Sequence, residues 1–100
     1  MADTPERRVK KKVSKILDEF GVYYFTPVMG GYGRSGVPDI VGCYKGKFIA
    51  IECKAGKGTT TALQDKNIDS IRKQRGRALV VNEDNIQDVI QLLLDIDNGI

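Results

Sequence analysis

The chain has 100 residues, 41% of them hydrophobic, and a formal net charge of +3. That length suits one modest core in a single domain over residues 1–100, and the hydrophobic fraction excludes a disordered tail. There is no histidine, which excludes a histidine general base, a zinc deaminase centre and a zinc finger, and two cysteines cannot complete a four-ligand structural zinc site.

Asp3 or Thr4 can cap a helix that starts near Pro5. Val9, Val13, Ile16, Leu17 and Phe20 give it an apolar stripe, and Gly21 ends it. Glu6 lies at the N-terminal end of that stripe. Two roles fit it equally: a favourable charge at the helix start, or a carboxylate directed along the core toward a site.

Val22 to Thr26 reads as a strand, rich in β-branched and aromatic residues. Pro27 to Gly36 follows as a loop with glycines at 30, 31, 33 and 36. It has neither the spacing of a nucleotide-binding P-loop nor that of a dinucleotide fingerprint. Val37–Tyr44 and Lys47–Cys53 form the clearest hairpin, turning at Lys45-Gly46. On its second strand Phe48, Ala50, Glu52 and Lys54 share one face by period two, and Ile49, Ile51 and Cys53 share the other.

Thr61, with Gln64 three residues later, matches a capping box. The helix it opens runs to about Gln74 and offers Leu63, Ile68 and Ile71 to the core. Gly76 breaks it. Ala78 to Val81 is a short apolar strand expected inside the sheet. Asp84 or Asn85 can start a last helix whose broad apolar face holds Ile86, Val89, Ile90, Leu93 and Leu94. The order is α-β-β-β-α-β-α. The run Leu92-Leu93-Leu94 with Ile96 could dock on a second copy of the chain, or the helix could simply roof the sheet.

Charge is unevenly spread. All sixteen Lys and Arg residues lie between 7 and 77, and from Glu83 onward there are five acids and no base. A polyanion therefore suits the first three quarters of the chain, above all the block Arg7, Arg8, Lys10, Lys11, Lys12 and Lys15, which otherwise is a solubilising helix surface. The apolar runs are too short and too often charged for a membrane span, and no apolar stretch of a signal peptide follows the basic N-terminus. A cytoplasmic protein with reduced Cys43 and Cys53 is expected.

The hairpin "GVPDIVGCYKGKFIAIECKAG" brings Asp39, Glu52 and Lys54 to one end of the sheet. Two converging carboxylates repel and take up protons unless compensated. Magnesium answers this with few protein oxygens, water and substrate phosphate. Asp39 and Glu52 are suitable ligands, and the Cys53 backbone carbonyl adds a third oxygen. Lys54 could orient or deprotonate water, or stabilise charge growing on a phosphate. The set suits metal-assisted phosphodiester hydrolysis. The plainer alternative is a pair of edge acids with Lys54 bound to one of them.

These residues carry a resemblance. Pro38-Asp39 followed by Glu52-Cys53-Lys54 resembles the core motif of the PD-(D/E)XK nuclease superfamily, and within it the stand-alone viral VRR-NUC domains, over roughly residues 6 to 82. The resemblance implies a restriction-endonuclease-like α/β fold: an α-β-β-β-α-β core with a mixed central sheet, here with an added C-terminal helix. It implies Mg²⁺, with Mn²⁺ able to substitute, held by Asp39 and Glu52, and Lys54 as the catalytic lysine. Glu6 matches a first-helix glutamate that completes the site in many relatives, and Gln64 a glutamine near it. Ser35 sits where related junction-cleaving enzymes often carry a serine. Small members are similar to archaeal Holliday junction resolvases and tend to be dimers, so the implied partners are branched or four-way DNA and a second copy of the chain. Arg7, Lys10, Lys11, Arg34, Ser35, Arg72 and Lys73 would contact DNA, with the phosphate backbone as the main target. A phage-encoded enzyme of DNA repair or recombination in a bacterial host fits the viral likeness. Competing expectations are a nicking or flap-cleaving nuclease with the same site, a DNA-binding module without cleavage, and an interaction protein using helix 84–97.

Overall fold

A computed structural model describes the chain at residues 3–28 and 34–100. The loop glycines at 30, 31 and 33 lie outside the described residues. The elements run α1 (Pro5–Phe20), β1 (Tyr23–Phe25), β2 (Ile40–Tyr44), β3 (Lys47–Cys53), α2 (Ala62–Lys73), β4 (Arg77–Val81) and α3 (Gln87–Asp97). The strands form one sheet in the order β1-β2-β3-β4. The first three are antiparallel neighbours, and β4 joins β3 in parallel. A parallel pair needs a long crossover, and α2 supplies it. This is the expected mixed-sheet core with an added C-terminal helix.

Helices pack on both faces of the sheet. Val9, Val13 and Leu17 of α1 and Val89, Leu92, Leu93 and Ile96 of α3 pack on Ile40, Ile49, Ile51, Cys53 and Val81. On the opposite face Ile68 and Ile71 of α2 meet Val41, Ala50, Ala78 and Val80. The odd and even positions of β3 thus serve two cores, as its period-two pattern required. Thr4 caps α1 by accepting from the Arg7 N–H, and Gly21 closes it in a left-handed conformation at φ 74°. Lys45 and Gly46 both have positive φ, as a two-residue hairpin turn needs. Tyr44 donates to the Asp97 carboxylate at 2.8 Å, and Lys45 pairs with the same acid, so that turn is fastened to the end of α3.

Several expectations shift. The Val22 N–H is used by the Leu17 carbonyl as α1 ends, and Pro27 follows Thr26, so β1 keeps just Tyr23–Phe25. Pro38 has no N–H for a ladder, so β2 begins at Ile40 rather than at Val37. The strand expected inside the sheet, β4, lies at its edge. Its Ala78 and Val80 carbonyls accept from the Arg72 guanidinium at 2.9 Å and the Asn85 amide at 3.0 Å. Leu63 is exposed rather than in the core. α3 starts at Gln87, because Asn82 and Asn85 spend their side chains on the preceding turn: Asn85 accepts from the Asn82 N–H and Asn82 from the Asp84 N–H. The apolar run of α3 roofs the sheet, with Leu94 its one large side chain left exposed. No helix among the described residues is long and apolar enough to cross a membrane.

Candidate active site

Asp39 immediately precedes β2, and Glu52 and Cys53 end β3. In the β2–β3 register Ile40 faces Ile51, so the next step sets Asp39 opposite Glu52. The Cys53 N–H donates to Asp39 Oδ2 at 2.9 Å. In an extended strand the N–H and C=O of one residue point to the same side, so the Cys53 carbonyl also points toward the β2 side. One more step of register sets Pro38 opposite Cys53, and a proline has no N–H to give that carbonyl.

Glu52 is 3% exposed. Lys54 Nζ lies 3.6 Å from Glu52 Oε2, and the Gln64 amide donates to the same oxygen at 3.3 Å. Gln64 also accepts from the Thr61 N–H at 3.0 Å, while its own N–H donates to the Thr61 hydroxyl. The capping box and the site contact are therefore made by one side chain. Burial, then the Asp39 charge beside it, pushes the Glu52 carboxyl up to about 7, against a smaller pull from Lys54. Burial likewise pushes the Cys53 thiol up to about 12, so its sulfur is an inert part of the core.

Two close contacts place the acids. Gly36 has φ +75°, and a Cβ there would stand 2.6 Å from Leu63 Cγ, so the segment leading into Asp39 lies directly on α2. At Gly42 an added Cβ would stand 2.3 Å from the Tyr23 carbonyl oxygen, so β1 can pair with β2 only over a glycine.

Asp39, Glu52, Lys54 and Gln64 are brought together as the sequence implied. Lys10 joins them, its Nζ 3.8 Å from Asp39 Oδ1. Sequence reasoning placed Lys10 with the DNA contacts alone, although a signal was present: it lies four residues after Glu6, on the same flank of α1. Glu6 is exposed in the first turn of α1 and forms no group of three metal-capable side chains with the two acids. Ser35 is exposed, four residues ahead of Asp39, and its carbonyl accepts from Asn67 at 3.4 Å. With Arg34, Lys66, Asn67 and Ser70 it lines a groove of about 300 Å³ beside α2. Arg7, Lys11 and Lys73 are exposed; Lys11 pairs with Asp3 at 2.6 Å, and Arg72 is taken up by the β4 edge.

Among the described residues no group of three or more His, Cys, Asp or Glu side chains is placed to hold a metal. A hard divalent cation does not require one. Mg²⁺ commonly takes one or two carboxylates and completes its shell with water and phosphate. An acid raised to about 7 by burial first and by a second acid next is a place where added positive charge is favourable. The oxygens of Asp39 and Glu52, with the Cys53 carbonyl, fit such an ion.

The family model described as archaeal Holliday junction resolvase (hjc) matches residues 6–81. Among solved structures, one described as a VRR_NUC domain superposes with a TM-score of 0.73 at 21% identity, over 89% of this chain and 97% of its own. No curated protein matches.

Proposed function

Because the chain belongs to the archaeal Holliday junction resolvase (hjc) family, nucleases acting on DNA, we propose that it is a metal-dependent, structure-selective endonuclease that cuts four-way DNA junctions. The observation that carries this reading is the convergence of Asp39, Glu52, Lys54 and Gln64 at one end of the sheet, beside the basic face of α1.

Asp39, Glu52 and the Cys53 carbonyl would hold Mg²⁺ or Mn²⁺. When bound, that ion stabilises negative phosphate oxygens and makes water a better nucleophile. The chain does the rest. The Cys53 N–H fixes the Asp39 carboxylate on the rigid strand. Gln64 holds one Glu52 oxygen, so the second acid is also oriented before substrate arrives. Lys54 orients the attacking water and donates to the phosphate as its charge grows. The new bond joins water oxygen to phosphorus, and the bond to the leaving sugar oxygen breaks. Arg7, Arg8 and Arg34 are exposed cations suited to phosphates on either side.

Paired cuts across a junction need two such sites, so the reading includes a homodimer. Its interface is not the α3 stripe, which is spent on the core. Tyr23, Phe25, Val28 and Phe48 are exposed apolar side chains grouped around β1 and the part of the sheet face that α2 leaves open.

The test compares labelled four-way junction, flap, nicked and linear duplex with Mg²⁺, Mn²⁺ or EDTA. Paired nicks in the junction, lost with EDTA and in Lys54→Ala, support the proposal. Cuts confined to flaps or nicked duplex replace the substrate. Tight binding without cleavage in either metal overturns the enzyme.

A further inference from the structure

The two oxygens of Asp39 are held by different kinds of partner. Oδ2 is fixed by the backbone N–H of Cys53. Oδ1 faces Lys10 at 3.8 Å, beyond hydrogen-bond distance. Such a contact is weak and easily exchanged. Lys10 follows Val9, which is buried, and its side chain is 33% exposed. Its root is thus fixed by the core while its long stem can swing the ammonium between the acid and solvent. Lys54 already serves Glu52, so each acid has one lysine, and the two lysines differ. Lys54 is 14% exposed and extends from the end of β3, whereas Lys10 reaches in from a helix whose outer face is basic.

We propose that Lys10 is a positioning residue that occupies Asp39 until a divalent cation enters, and then passes its ammonium to a phosphate of bound DNA; this rests on the nuclease reading above. A divalent ion on Asp39 repels the ammonium, and a phosphate beside α1 attracts it. Lys10 therefore opposes metal binding without DNA and favours it with DNA. The coupling is reciprocal: whatever DNA does to metal affinity through Lys10, metal does equally to DNA affinity.

The test is Mn²⁺ titration by calorimetry on DNA-free wild type, Lys10→Met, Lys10→Arg and Lys12→Met. Lys12 is exposed on the same helix and controls for the loss of one positive charge. Lys10→Met should bind Mn²⁺ several-fold more tightly than Lys12→Met, and Lys10→Arg should restore the wild-type affinity. With Ca²⁺ in place of Mg²⁺, Lys10→Met should weaken DNA binding and lower the salt slope by about one. A purely structural ion pair would instead leave metal affinity unchanged or reduced. If wild type cleaves DNA and Lys10→Met matches Lys12→Met in Mn²⁺ affinity, this proposal alone is overturned. If wild type binds no Mn²⁺, it falls together with the metal reading.

Discussion

The Cys53 N–H and the Asp39 carboxylate, 2.9 Å apart, join the first residue before β2 to the last residue of β3. The contact stands where a ladder bond would otherwise lie, since the register brings Pro38 opposite Cys53. An acid at the mouth of the hairpin is thereby both a structural acceptor and a chemical group. Removing the charge and removing the acceptor are consequently separable.

Asp39→Asn keeps an oxygen for the Cys53 N–H, so its melting temperature should stay close to that of wild type. Cleavage should fall by a factor of about 100 or more, as expected when a ligand or preorganised group is lost. Asp39→Leu should lose cleavage equally and also about 1–3 kcal/mol of stability, because a backbone donor is left unpaired. Urea unfolding beside a cleavage assay distinguishes the two effects.

Glu52 sets a pH dependence. Its carboxyl rises from an ordinary 4.5 to about 7 in the folded chain. Between those values the native state keeps a proton that the unfolded state releases, so metal-free stability falls as pH rises. Glu52→Gln should flatten the curve. At pH 8 it should be more stable than wild type by about 1–3 kcal/mol, the range allowing for water at the open side of the site. Saturating Mg²⁺ should remove the wild-type deficit. Urea midpoints from pH 4 to 8, with and without Mg²⁺, check all three.

Gln64 has two duties that substitution can split. Gln64→Ala loses both, at about 0.5–1.5 kcal/mol for the hydrogen bond to the Thr61 N–H and with slower cleavage, while the Thr61 hydroxyl still caps the helix. Gln64→Glu keeps an acceptor for the Thr61 N–H but sets a third acid beside Glu52. Its stability at neutral pH should drop below that of Gln64→Ala once Mg²⁺ is removed, and recover when Mg²⁺ is added. Helicity and melting measured in EDTA and in Mg²⁺ give the answer.

Pro38 withholds an N–H from the Cys53 carbonyl. Pro38→Ala supplies one, which lengthens the β2–β3 ladder and competes for that oxygen. Mn²⁺ affinity should fall several-fold while stability changes by less than about 1 kcal/mol. Equal Mn²⁺ affinity in the variant would remove the carbonyl from the ligand set.

Much of this was written locally. The period-two pattern of β3, the Thr61–Gln64 capping box, the Thr4 and Gly21 ends of α1 and the clustering of Asp39, Glu52 and Lys54 all follow from spacing alone. What escaped depended on distant partners. Leu63 looks like a core residue, yet it stays exposed, and what it touches is Gly36 from another segment. Asp84 and Asn85 look like helix caps, but Asn85 turns back to the Asn82 N–H and the Val80 carbonyl. Arg72 looks like a phosphate ligand, yet β4 takes its guanidinium. Lys10 looks like one of six equivalent cations, and only its place four residues after Glu6, on one flank of α1, sets it apart from Lys12.

The capping of β4 has one more effect. A fibril built by adding strand to strand needs two receptive borders on every molecule, one to give and one to receive. Arg72 and Asn85 sit on successive outward carbonyls of one border, and an incoming strand would have to evict both. Growth of the sheet by adding strand to strand at this border would cost both of these hydrogen bonds, so the β4 edge is blunted against edge-to-edge pairing.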